Sequence, residues 1–324
     1  MRLALLIVVA ALVLTAAGAT WTVTQPLVRA RHPTGVVRPV EPARLEAHVR
    51  TIAAEFGPRD HAHPENLARV AEYVARAFQA TGGRVEEQRY TPTAATYRNV
   101  IASYGPDDGA RVVVGAHYDA AGPLPGADDN ASGVAGLLEL ALLLSRTHTL
   151  PLRVDLVAYP LEEEPFFMTP GMGSWVHAAA LRQAGVSVRA MVSLEMIGYF
   201  TDAPDSQLFP HPVLALVYPS RGNFITVVGR LGDVALVRRT KSAMRGATDL
   251  PVVSINAPTA IPGVDFSDHR SYWAHGYPAV MITDTAFYRN RHYHSPGDTP
   301  ETLDYGRMAK VVRGVYEAVL SLSE

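Results

Sequence analysis

Residues 117–133 read HYDAAGPLPGADDNASG and form a polar loop between two apolar runs. The run RVVVGA precedes the loop at residues 111–116, and VAGLLELALLL follows it at residues 134–144. This order predicts a buried strand, a Gly- and Pro-rich loop, and a helix that opens at small residues. A loop at the end of a strand is where α/β proteins usually bind their ligands. Residues 117–133 are therefore the first candidate for a functional site.

The loop concentrates acidic side chains. It carries one imidazole and three carboxylates but no basic residue: His117, Asp119, Asp128 and Asp129. Crowded carboxylates without a cation raise one another's pKa, so such a cluster favours a bound divalent metal. The simpler alternative is a solvated acidic loop whose carboxylates only cap the following helix. Further carboxylates and imidazoles after the later strands favour the metal site.

The composition is that of an ordinary enzyme, and it restricts the metal ligands. The chain has 324 residues, of which 48% are hydrophobic and 19% charged, with a net charge of −2. Nothing in this balance points to a nucleic-acid partner. The absence of cysteine excludes disulfides, thiolate zinc sites and a cysteine nucleophile. Any metal must be held by histidine and carboxylate ligands, a set that suits zinc or another borderline-to-hard divalent ion.

The N-terminus is strongly apolar. Residues 1–21 carry no charged side chain after Arg2, and the run is long enough to span a bilayer. The small residues Ala17-Gly18-Ala19 resemble a cleavage site for a signal peptide. We favour an uncleaved membrane anchor over a cleaved signal peptide, and the buried first helix of a cytoplasmic protein is a third alternative. The first two interpretations place the rest of the chain outside the cytoplasm, either membrane-anchored or, after cleavage, secreted or periplasmic.

Composition divides the rest of the chain into a linker and one domain. Residues 22–43 are Pro-rich and aperiodic, so we expect a linker there and one domain at residues 44–324. The patterns from residue 44 onward predict helix, helix, strand, strand, strand and helix, which is an α/β order. Residues 201–262 are Pro- and Gly-rich, with only NFITVVGRL and VVSINA resembling strands. We expect an irregular insert there that forms part of the wall of the substrate site.

Carboxylates and imidazoles recur after the later strands. The apolar run at residues 152–160 leads into LEEEPFF, where alternating side-chain directions let one glutamate face a metal and its neighbour face a substrate. Glu195 lies inside an apolar strand, which is costly unless it is paired or bound to metal. His292 and His294 both lie in the last loop, and spacing alone does not choose between them. A solvated acidic turn and a structural ion pair are the simpler alternatives for the glutamates.

Six motifs occur in one order along the chain: HYD, GADDNASG, AYPLEE, SLEMIGY, SDH and HYHSPGDT. Each alone is weak evidence, but together they make the chain resemble the zinc aminopeptidases of the M28 type, the aminopeptidase Y group, over about residues 45–322. The resemblance implies a three-layer α/β/α sandwich with a mostly parallel central sheet. It also implies two zinc ions at the carboxyl end of that sheet, and an exopeptidase that removes N-terminal residues from peptides.

Matching motif to motif assigns five metal ligands by resemblance. Asp129 would bridge the two zinc ions, and the peptide bond after it would be cis. His117 and Glu195 would complete the protein ligands of one ion, and Glu163 and His294 those of the other. Each ion would then have three protein ligands and an open position, which is typical of a catalytic site.

The resemblance also assigns three catalytic residues. Glu162 would be the general acid and base for the attacking water. Asp119 would orient the imidazole of His117, and Tyr293 would help to polarise the scissile carbonyl.

The chain departs from the family pattern at two points. Many members have aspartate where this chain has Glu195, which is one methylene longer. The family's pair of glutamates is here EEE, so the base and the ligand are either Glu162 and Glu163 or, one residue later, Glu163 and Glu164. Counting from Tyr159 favours the first assignment. Two other functions fit the pattern: a glutaminyl cyclase on the same fold that keeps one zinc, and a catalytically silent ectodomain that acts as a binding module.

Overall fold

The structure, a computed structural model, describes residues 2–33 and 38–324. Three α-helices and then three strands open the chain, and from the third strand onward helices and strands largely alternate. The strands are β1 (Arg84–Tyr90), β2 (Tyr97–Tyr104), β3 (Arg111–His117), β4 (Arg153–Tyr159), β5 (Val188–Glu195), β6 (Ile225–Gly229), β7 (Val252–Asn256) and β8 (Ala279–Thr283). The α-helices are α1 (Arg2–Thr24), α2 (Pro42–Arg50), α3 (Pro64–Ala80), α4 (Gly133–Ser145), α5 (Gly173–Gln183), α6 (Val234–Ala247), α7 (His269–Ala274) and α8 (Tyr305–Ser323).

The strands form one eight-stranded sheet in the order β1-β2-β4-β3-β5-β8-β6-β7. The central strands β4, β3, β5 and β8 pair in parallel. At one side β1 and β2 add antiparallel pairs, and at the other side β6 runs antiparallel to β8. The predicted mostly parallel central sheet is confirmed. Parallel pairing brings the carboxyl ends of the four central strands to one edge, where polar loops follow them.

Helices cover both faces of the sheet. Along β3, Val112 and Val114 face the larger core, which includes α2, α4 and α8, whereas Val113 faces a smaller core with α5 and α7. The alternation arises because successive side chains of a strand point to opposite faces. Burial on both faces explains why β3 is a continuous apolar run. The predicted three-layer α/β/α sandwich is confirmed.

The region predicted to be an irregular insert is only partly irregular. Residues 201–223 contain one short 3-10 helix, at Pro212–Leu216, and otherwise turns and bends. The two strand-like runs form β6 and β7, and between them lies the 14-residue helix α6, which the sequence pattern does not predict. The inward face of α6 includes Thr240 and Lys241. These polar residues interrupt the apolar stripe by which an amphipathic helix is normally identified.

The N-terminal helix is longer than the predicted apolar segment. It extends to Thr24, and an 18-residue stretch within Ala4–Thr24 has a mean hydropathy of 2.2 and no buried residue. By length and composition this helix could cross a membrane. Its last turn contacts the domain, where Thr24 and the following Gln25 are buried next to β7.

The described part of the predicted linker packs on the domain. Residues 25–33 lie along α6, and the Arg31 N–H donates to the Ser242 carbonyl over 2.9 Å. Gly246 allows this close approach, because a Cβ there would lie 1.8 Å from the Arg31 carbonyl oxygen. Residues 34–37 of the predicted linker lie outside the described residues.

Candidate metal centre

The ends of three central strands supply most of the candidate ligands. His117 is the last residue of β3, and Glu195 is the last residue of β5. Glu162 and Glu163 follow β4, and Asp129 lies in the turn that joins β3 to α4. The peptide bond after Asp129 is cis, as the resemblance implies. Because these strand ends share one edge of the sheet, side chains far apart in sequence come together.

Two triads of possible ligands share one carboxylate. His117 Nε2 lies 3.3 Å from Asp129 Oδ1 and 3.4 Å from Glu195 Oε2. On the other side of the same carboxylate, His294 Nε2 lies 3.1 Å from Asp129 Oδ2 and 3.3 Å from Glu163 Oε2. We call His117, Asp129 and Glu195 triad A, and Asp129, Glu163 and His294 triad B. Within each triad the possible ligand atoms lie within 4.8 Å of one another.

Unpartnered polar atoms in the triads fit a bound cation. His117 is fully buried, and neither of its ring nitrogens has a hydrogen-bond partner. The buried Oε1 of Glu163 has none either. Buried polar atoms nearly always have a partner, and a cation would supply one. Imidazole nitrogen and carboxylate oxygen are a donor set that suits zinc, so the residues of both triads fit a divalent metal ion.

Crowding of charge shifts the pKa values of these groups. Burial raises the pKa of Glu163 to about 7, and the nearby charge of Asp129 adds to the increase. Burial alone would lower the pKa of His294, but hydrogen bonds to Asp129 and Glu163 raise it to about 10. Burial would raise the pKa of Asp129, but the imidazoles of His117 and His294 lower it below its usual range. The carboxylates therefore require positive charge close by, which a divalent cation supplies.

Glu162 lies beside the triads and belongs to neither. It is 6% exposed and forms a third close group with His117 and Glu163. Burial raises the pKa of Glu162 well above its usual range, while the imidazole of His117 opposes the shift. A buried carboxyl with a raised pKa next to possible metal ligands is typical of a general base. Glu164, in contrast, is exposed and lies in none of these groups.

Asp119 fixes the backbone of the two glutamates. Its Oδ1 accepts the N–H of Glu162 over 3.1 Å, and its Oδ2 accepts the N–H of Glu163 over 3.0 Å. Oδ1 also lies 3.4 Å from Nδ1 of His117, which is longer than a good hydrogen bond. The resemblance predicts only the contact with the imidazole. The structure adds that Asp119 sets the position of the chain that follows β4.

The last loop brings His294, and not His292, to the triads. The His294 ring stacks on the ring of Tyr293 with 3.8 Å between the centroids. His292 faces Tyr199 with an edge contact at 6.4 Å and belongs to none of the close groups found in the described residues. Tyr293 therefore lies next to triad B, where the resemblance expects a residue that polarises the substrate.

The SDH motif, residues 267–269, includes a serine that donates a hydrogen bond to Glu195. The Ser267 hydroxyl donates to Glu195 Oε2 over 2.7 Å and contacts the Ser193 hydroxyl at 2.8 Å. Asp268 is fully buried, and neither of its oxygens has a hydrogen-bond partner. Burial raises the pKa of Asp268 to about 7, with the imidazole of His117 opposing the shift. The sequence marks this motif only as part of the resemblance and assigns no role to either residue.

Two further residues without a predicted role hold the loop that carries Asp129. The Asp298 carboxylate accepts the N–H groups of Asp128 and Asp129 over 2.9 and 3.0 Å. The fully buried Arg59 guanidinium donates to three carbonyls of the loop, those of Tyr118, Pro125 and Gly126. Asp298 stands in the HYHSPGDT motif and could have been suspected on that ground. No local pattern identifies Arg59, because its partners are backbone carbonyls.

The third carboxylate of the loop turns away from the triads. Asp128 accepts the N–H of Gly198 over 3.0 Å and the side-chain amide of Asn290 over 2.9 Å. Burial and the nearby Asp284 raise the pKa of Asp128 well above its usual range. Asp128 is therefore a structural carboxyl group that ties the loop to the neighbouring strand ends.

Comparison with known families covers the region that contains both triads. A model described as Peptidase family M28 matches residues 99–319. The chain belongs to peptidase family M28. The resemblance to M28 zinc aminopeptidases that the six motifs carry is thereby confirmed.

The relatives of this chain include proteins with and without a stated activity. The uncharacterized protein YfbL of Escherichia coli (strain K12) is 50% identical over 286 residues, 86% of this chain and 87% of that protein. Leucine aminopeptidase 1 of Ajellomyces dermatitidis is 27% identical over 233 residues, 67% of this chain and 54% of that protein. The chain thus spans about half the length of the leucine aminopeptidase it matches.

Solved structures confirm the M28 fold. The zinc aminopeptidase BSAP from Bacillus subtilis superposes with a TM-score of 0.69 at 14% identity, covering 87% of this chain and 94% of that chain. A glutaminyl cyclase from Bacteroides thetaiotaomicron superposes with a TM-score of 0.66 at 18% identity, covering 88% and 99%. At these identities the likeness concerns the fold alone.

This M28 chain has an apolar pocket beside triad A. Glu195 and Tyr293 form part of its lining. Most of the other lining side chains are apolar, among them Phe224, Ile261 and Phe287. Many of them come from residues 201–262.

Proposed function

We propose that this M28 chain is a di-zinc aminopeptidase that hydrolyses N-terminal residues from peptides. The observation that most supports the proposal is the position of Asp129 between the triads. Its two oxygens lie 3.3 and 3.1 Å from nitrogens of different imidazoles, those of His117 and His294. A carboxylate placed in this way can serve two cations with one residue, and three protein ligands per cation leave a position open for chemistry.

Triad A would hold one zinc ion and triad B the other. Bound there, the two ions would activate a water for nucleophilic attack and polarise the substrate carbonyl. Glu162 accepts the proton of the attacking water and passes it to the leaving amine. Asp119 acts through the backbone, because its carboxylate holds the N–H groups of Glu162 and Glu163. The Tyr293 hydroxyl donates to the oxyanion that forms on the substrate carbonyl.

The apolar pocket would receive the side chain of the substrate's first residue. Glu195 and Tyr293 form part of its lining, and the remaining lining is mostly apolar. Burying an apolar side chain there removes its surface from water, which stabilises the complex by about 1.5–3 kcal/mol for a side chain such as leucine. We therefore expect peptides with a large apolar N-terminal residue to be the preferred substrates.

We place the domain outside the cytoplasm, with α1 as an uncleaved membrane anchor. The Ala4–Thr24 part of α1 is long and apolar enough to span a bilayer. A fusion of alkaline phosphatase to the C-terminus of the full chain, expressed in a Gram-negative bacterium, tests the location. Phosphatase activity would support an extracytoplasmic domain. An inactive fusion, together with a fluorescent C-terminal green fluorescent protein fusion, would place the domain in the cytoplasm.

The two alternative functions differ from this proposal in their demands on the triads. A glutaminyl cyclase with one zinc needs only one complete ligand set, whereas here the residues of both triads lie within 4.8 Å of their partners. A catalytically silent binding module needs no general base, whereas Glu162 is buried beside both triads. Both observations support the di-zinc hydrolase.

Metal analysis and substrate turnover on one preparation test the proposal. The full chain, purified in detergent and dialysed after zinc loading, is expected to retain two zinc ions and to release p-nitroaniline from leucyl-p-nitroanilide. A zinc chelator should abolish the release, and added zinc should restore it. One zinc per chain with conversion of N-terminal glutamine to pyroglutamate would support the cyclase. Retained zinc without turnover of either substrate would support the binding module.

A further inference from the structure

A charge-free segment exposes apolar side chains next to the pocket. Residues 206–220 contain no Asp, Glu, Lys or Arg, and the 3-10 helix at Pro212–Leu216 has no buried residue. Four large apolar side chains of the segment are exposed: Leu208, Val213, Leu216 and Val217. Leu216 is the most exposed of them, at 85%. We call residues 208–217 the apolar ledge. An exposed apolar patch of this kind usually marks an interaction site.

The ledge is fixed to the edge strand β7. Tyr218, which directly follows it, donates its hydroxyl proton to the carbonyl of Ser254 over 2.7 Å. At the other end, the Leu208 N–H donates to the carbonyl of Tyr288 over 2.7 Å. The ledge is thus held at both ends while its middle remains exposed to solvent. Its exposure is a property of an ordered segment.

The end of α1 is fixed to the same residue of β7. The Ser254 hydroxyl contacts the Thr24 carbonyl and the Gln25 side chain, each over 2.9 Å. The buried ammonium of Lys241 donates to the carbonyls of Thr24 and Gln25 over 3.2 and 2.9 Å. A cation at the last carbonyls of a helix also interacts favourably with the helix dipole. The end of α1 is therefore held on the domain by β7 and α6.

Two other exposed apolar side chains lie close in the chain to residues that contact β7. Leu27 is 71% exposed and follows the docked Gln25 by two residues. Leu231 is 54% exposed and follows Arg230, whose carbonyl accepts the Asn256 amide over 2.7 Å. Outside α1, the described residues have seven exposed large apolar side chains. Four of them belong to the ledge, and Leu27 and Leu231 are close in the chain to residues that contact β7. Met168 is the one that belongs to neither group.

We propose that the apolar ledge rests on the bilayer that α1 enters. The inference rests on the proposed membrane anchor and adds a second contact with the membrane. The bilayer is the occupant that fits, because the end of α1 and Tyr218, which directly follows the ledge, both contact Ser254 of β7, and residues 206–220 contain no Asp, Glu, Lys or Arg. Apolar side chains at a membrane surface sink about 5–10 Å into the boundary between head groups and acyl chains.

This contact would place the mouth of the pocket at the lipid surface. Leu208, Leu214 and Tyr218 line the pocket, and they belong to the ledge or directly follow it. Given the proposed aminopeptidase activity, substrates would then reach the pocket along the membrane. Peptides carried by a lipid tail or an apolar segment, with a free N-terminus at the surface, are the substrate class that fits.

The absence of cysteine allows a direct test by single labels. Three variants of the full chain each carry one cysteine modified with an environment-sensitive fluorophore: Leu216→Cys on the ledge, Leu12→Cys in α1 and Glu86→Cys on β1, the opposite edge strand. All three side chains are exposed. The proteins are reconstituted in vesicles of phosphatidylcholine and phosphatidylglycerol, with or without bromine on the acyl chains. Brominated lipid should quench most of the emission at residues 12 and 216 and leave residue 86 unchanged.

Each other pattern of quenching overturns the inference in an identifiable way. Quenching at residue 12 alone would leave the anchor in place and remove the ledge contact. Quenching at none of the three would remove both. Quenching at all three would show that lipid contacts the protein without preference for the ledge. An emission shift at residue 216 that depends on protein concentration in detergent, without lipid quenching, would indicate a second copy of the chain instead.

A second variant separates this inference from the proposed activity. Leu216→Gln combined with Val217→Gln changes two ledge residues that do not line the pocket. Hydrolysis of soluble leucyl-p-nitroanilide should be unchanged, whereas hydrolysis of a leucyl peptide acylated at its carboxyl end, presented in vesicles, should fall several-fold. Equal rates on the vesicle substrate would overturn the substrate class. If the wild-type chain does not hydrolyse leucyl-p-nitroanilide, the proposed function itself is contradicted.

Discussion

Ser267 donates its hydroxyl proton to Glu195 Oε2 over 2.7 Å. Glu195 stands where many M28 members have aspartate, and its extra methylene gives the carboxylate an additional rotatable bond. The hydrogen bond restricts that freedom and directs the carboxylate towards His117, whose Nε2 lies 3.4 Å from the same oxygen. We infer that Ser267 of the SDH motif compensates for the greater length of Glu195 as a proposed metal ligand.

We predict that Ser267→Ala weakens zinc binding at triad A. Removing a hydrogen bond to a metal ligand typically costs about 10–100-fold in metal affinity. Competition with a chromophoric chelator should therefore show one of two zinc ions released at a lower chelator concentration. Ser323→Ala, which removes another buried serine hydroxyl far from the triads, is the control. Equal affinities in the two variants would show that Ser267 does not position Glu195.

The lowered pKa of Lys241 should make the folded protein more stable as pH rises above about 8. Burial lowers the pKa of Lys241 from 10.5 to about 8, and the charge of Arg245 adds to the shift. Between these pH values the unfolded chain holds a proton that the folded chain lacks. Stability therefore increases with pH across this window, and it is lower and constant below about pH 8. Lys241→Met removes the titrating group.

Thermal unfolding of both proteins across that window measures the effect. The Tm of the wild type minus that of Lys241→Met should increase as pH rises from about 8 to about 10.5, because every other group titrates in both proteins. The difference cancels contributions of the remaining lysines and tyrosines. A difference that stays constant or falls with pH would show that the Lys241 ammonium is fully charged in the folded protein.

Much of the site could be predicted because its ligands stand at the ends of apolar runs. His117, Glu163 and Glu195 each lie at or just after a strand whose burial on both faces makes it continuous in apolar residues. The central strands are parallel, so their carboxyl ends meet. Spacing along the sequence could not pair Asp129 with two imidazoles, since that depends on how the loop turns. The motif order of the family supplied the pairing.

The features that the sequence pattern does not predict depend on tertiary contacts. Arg59 is a lone basic residue in the sequence, and its role comes from carbonyls of a loop about sixty residues later. The sequence pattern does not predict helix α6, because its inner face contains Lys241 and Thr240. Lys241 is tolerated there because the end of α1 supplies its acceptors. In both cases a polar side chain is buried against backbone groups from another segment, which local pattern does not reveal.

The two histidines of the last loop should differ in their effect on metal content. We predict that His294→Ala loses the zinc of triad B, because its Nε2 faces Asp129 and Glu163 at 3.1 and 3.3 Å. His292→Ala should keep two ions, since His292 packs against Tyr199 away from both triads. Elemental analysis after dialysis measures the content. Zinc loss in the His292 variant alone would reverse the assignment.

Removal of metal should lower the stability of the domain as well as its activity. A ligand that binds only the folded state stabilises it by about 2.7 kcal/mol at a concentration one hundred times its Kd. We expect a chelator to lower the Tm of the wild type more than that of His294→Ala, which starts with one ion fewer. An equal decrease in both proteins would indicate that His294 holds no ion.

The three consecutive glutamates provide the sharpest test of the proposed mechanism. Glu162→Gln keeps the size of the side chain and removes the base, so both zinc ions should stay bound and KM should change little. General acid and base catalysis contributes about 10²–10⁴-fold, and kcat should fall by at least that range. Glu163→Gln should lose or weaken the zinc of triad B together with activity, because Glu163 faces His294. Glu164→Gln is the matched control and should behave as the wild type, since Glu164 is exposed.

If Glu162→Gln loses zinc while Glu163→Gln keeps it and is inactive, the assignment moves by one residue, with Glu164 as the ligand. If none of the three changes affects turnover, the chain is not a hydrolase of this kind.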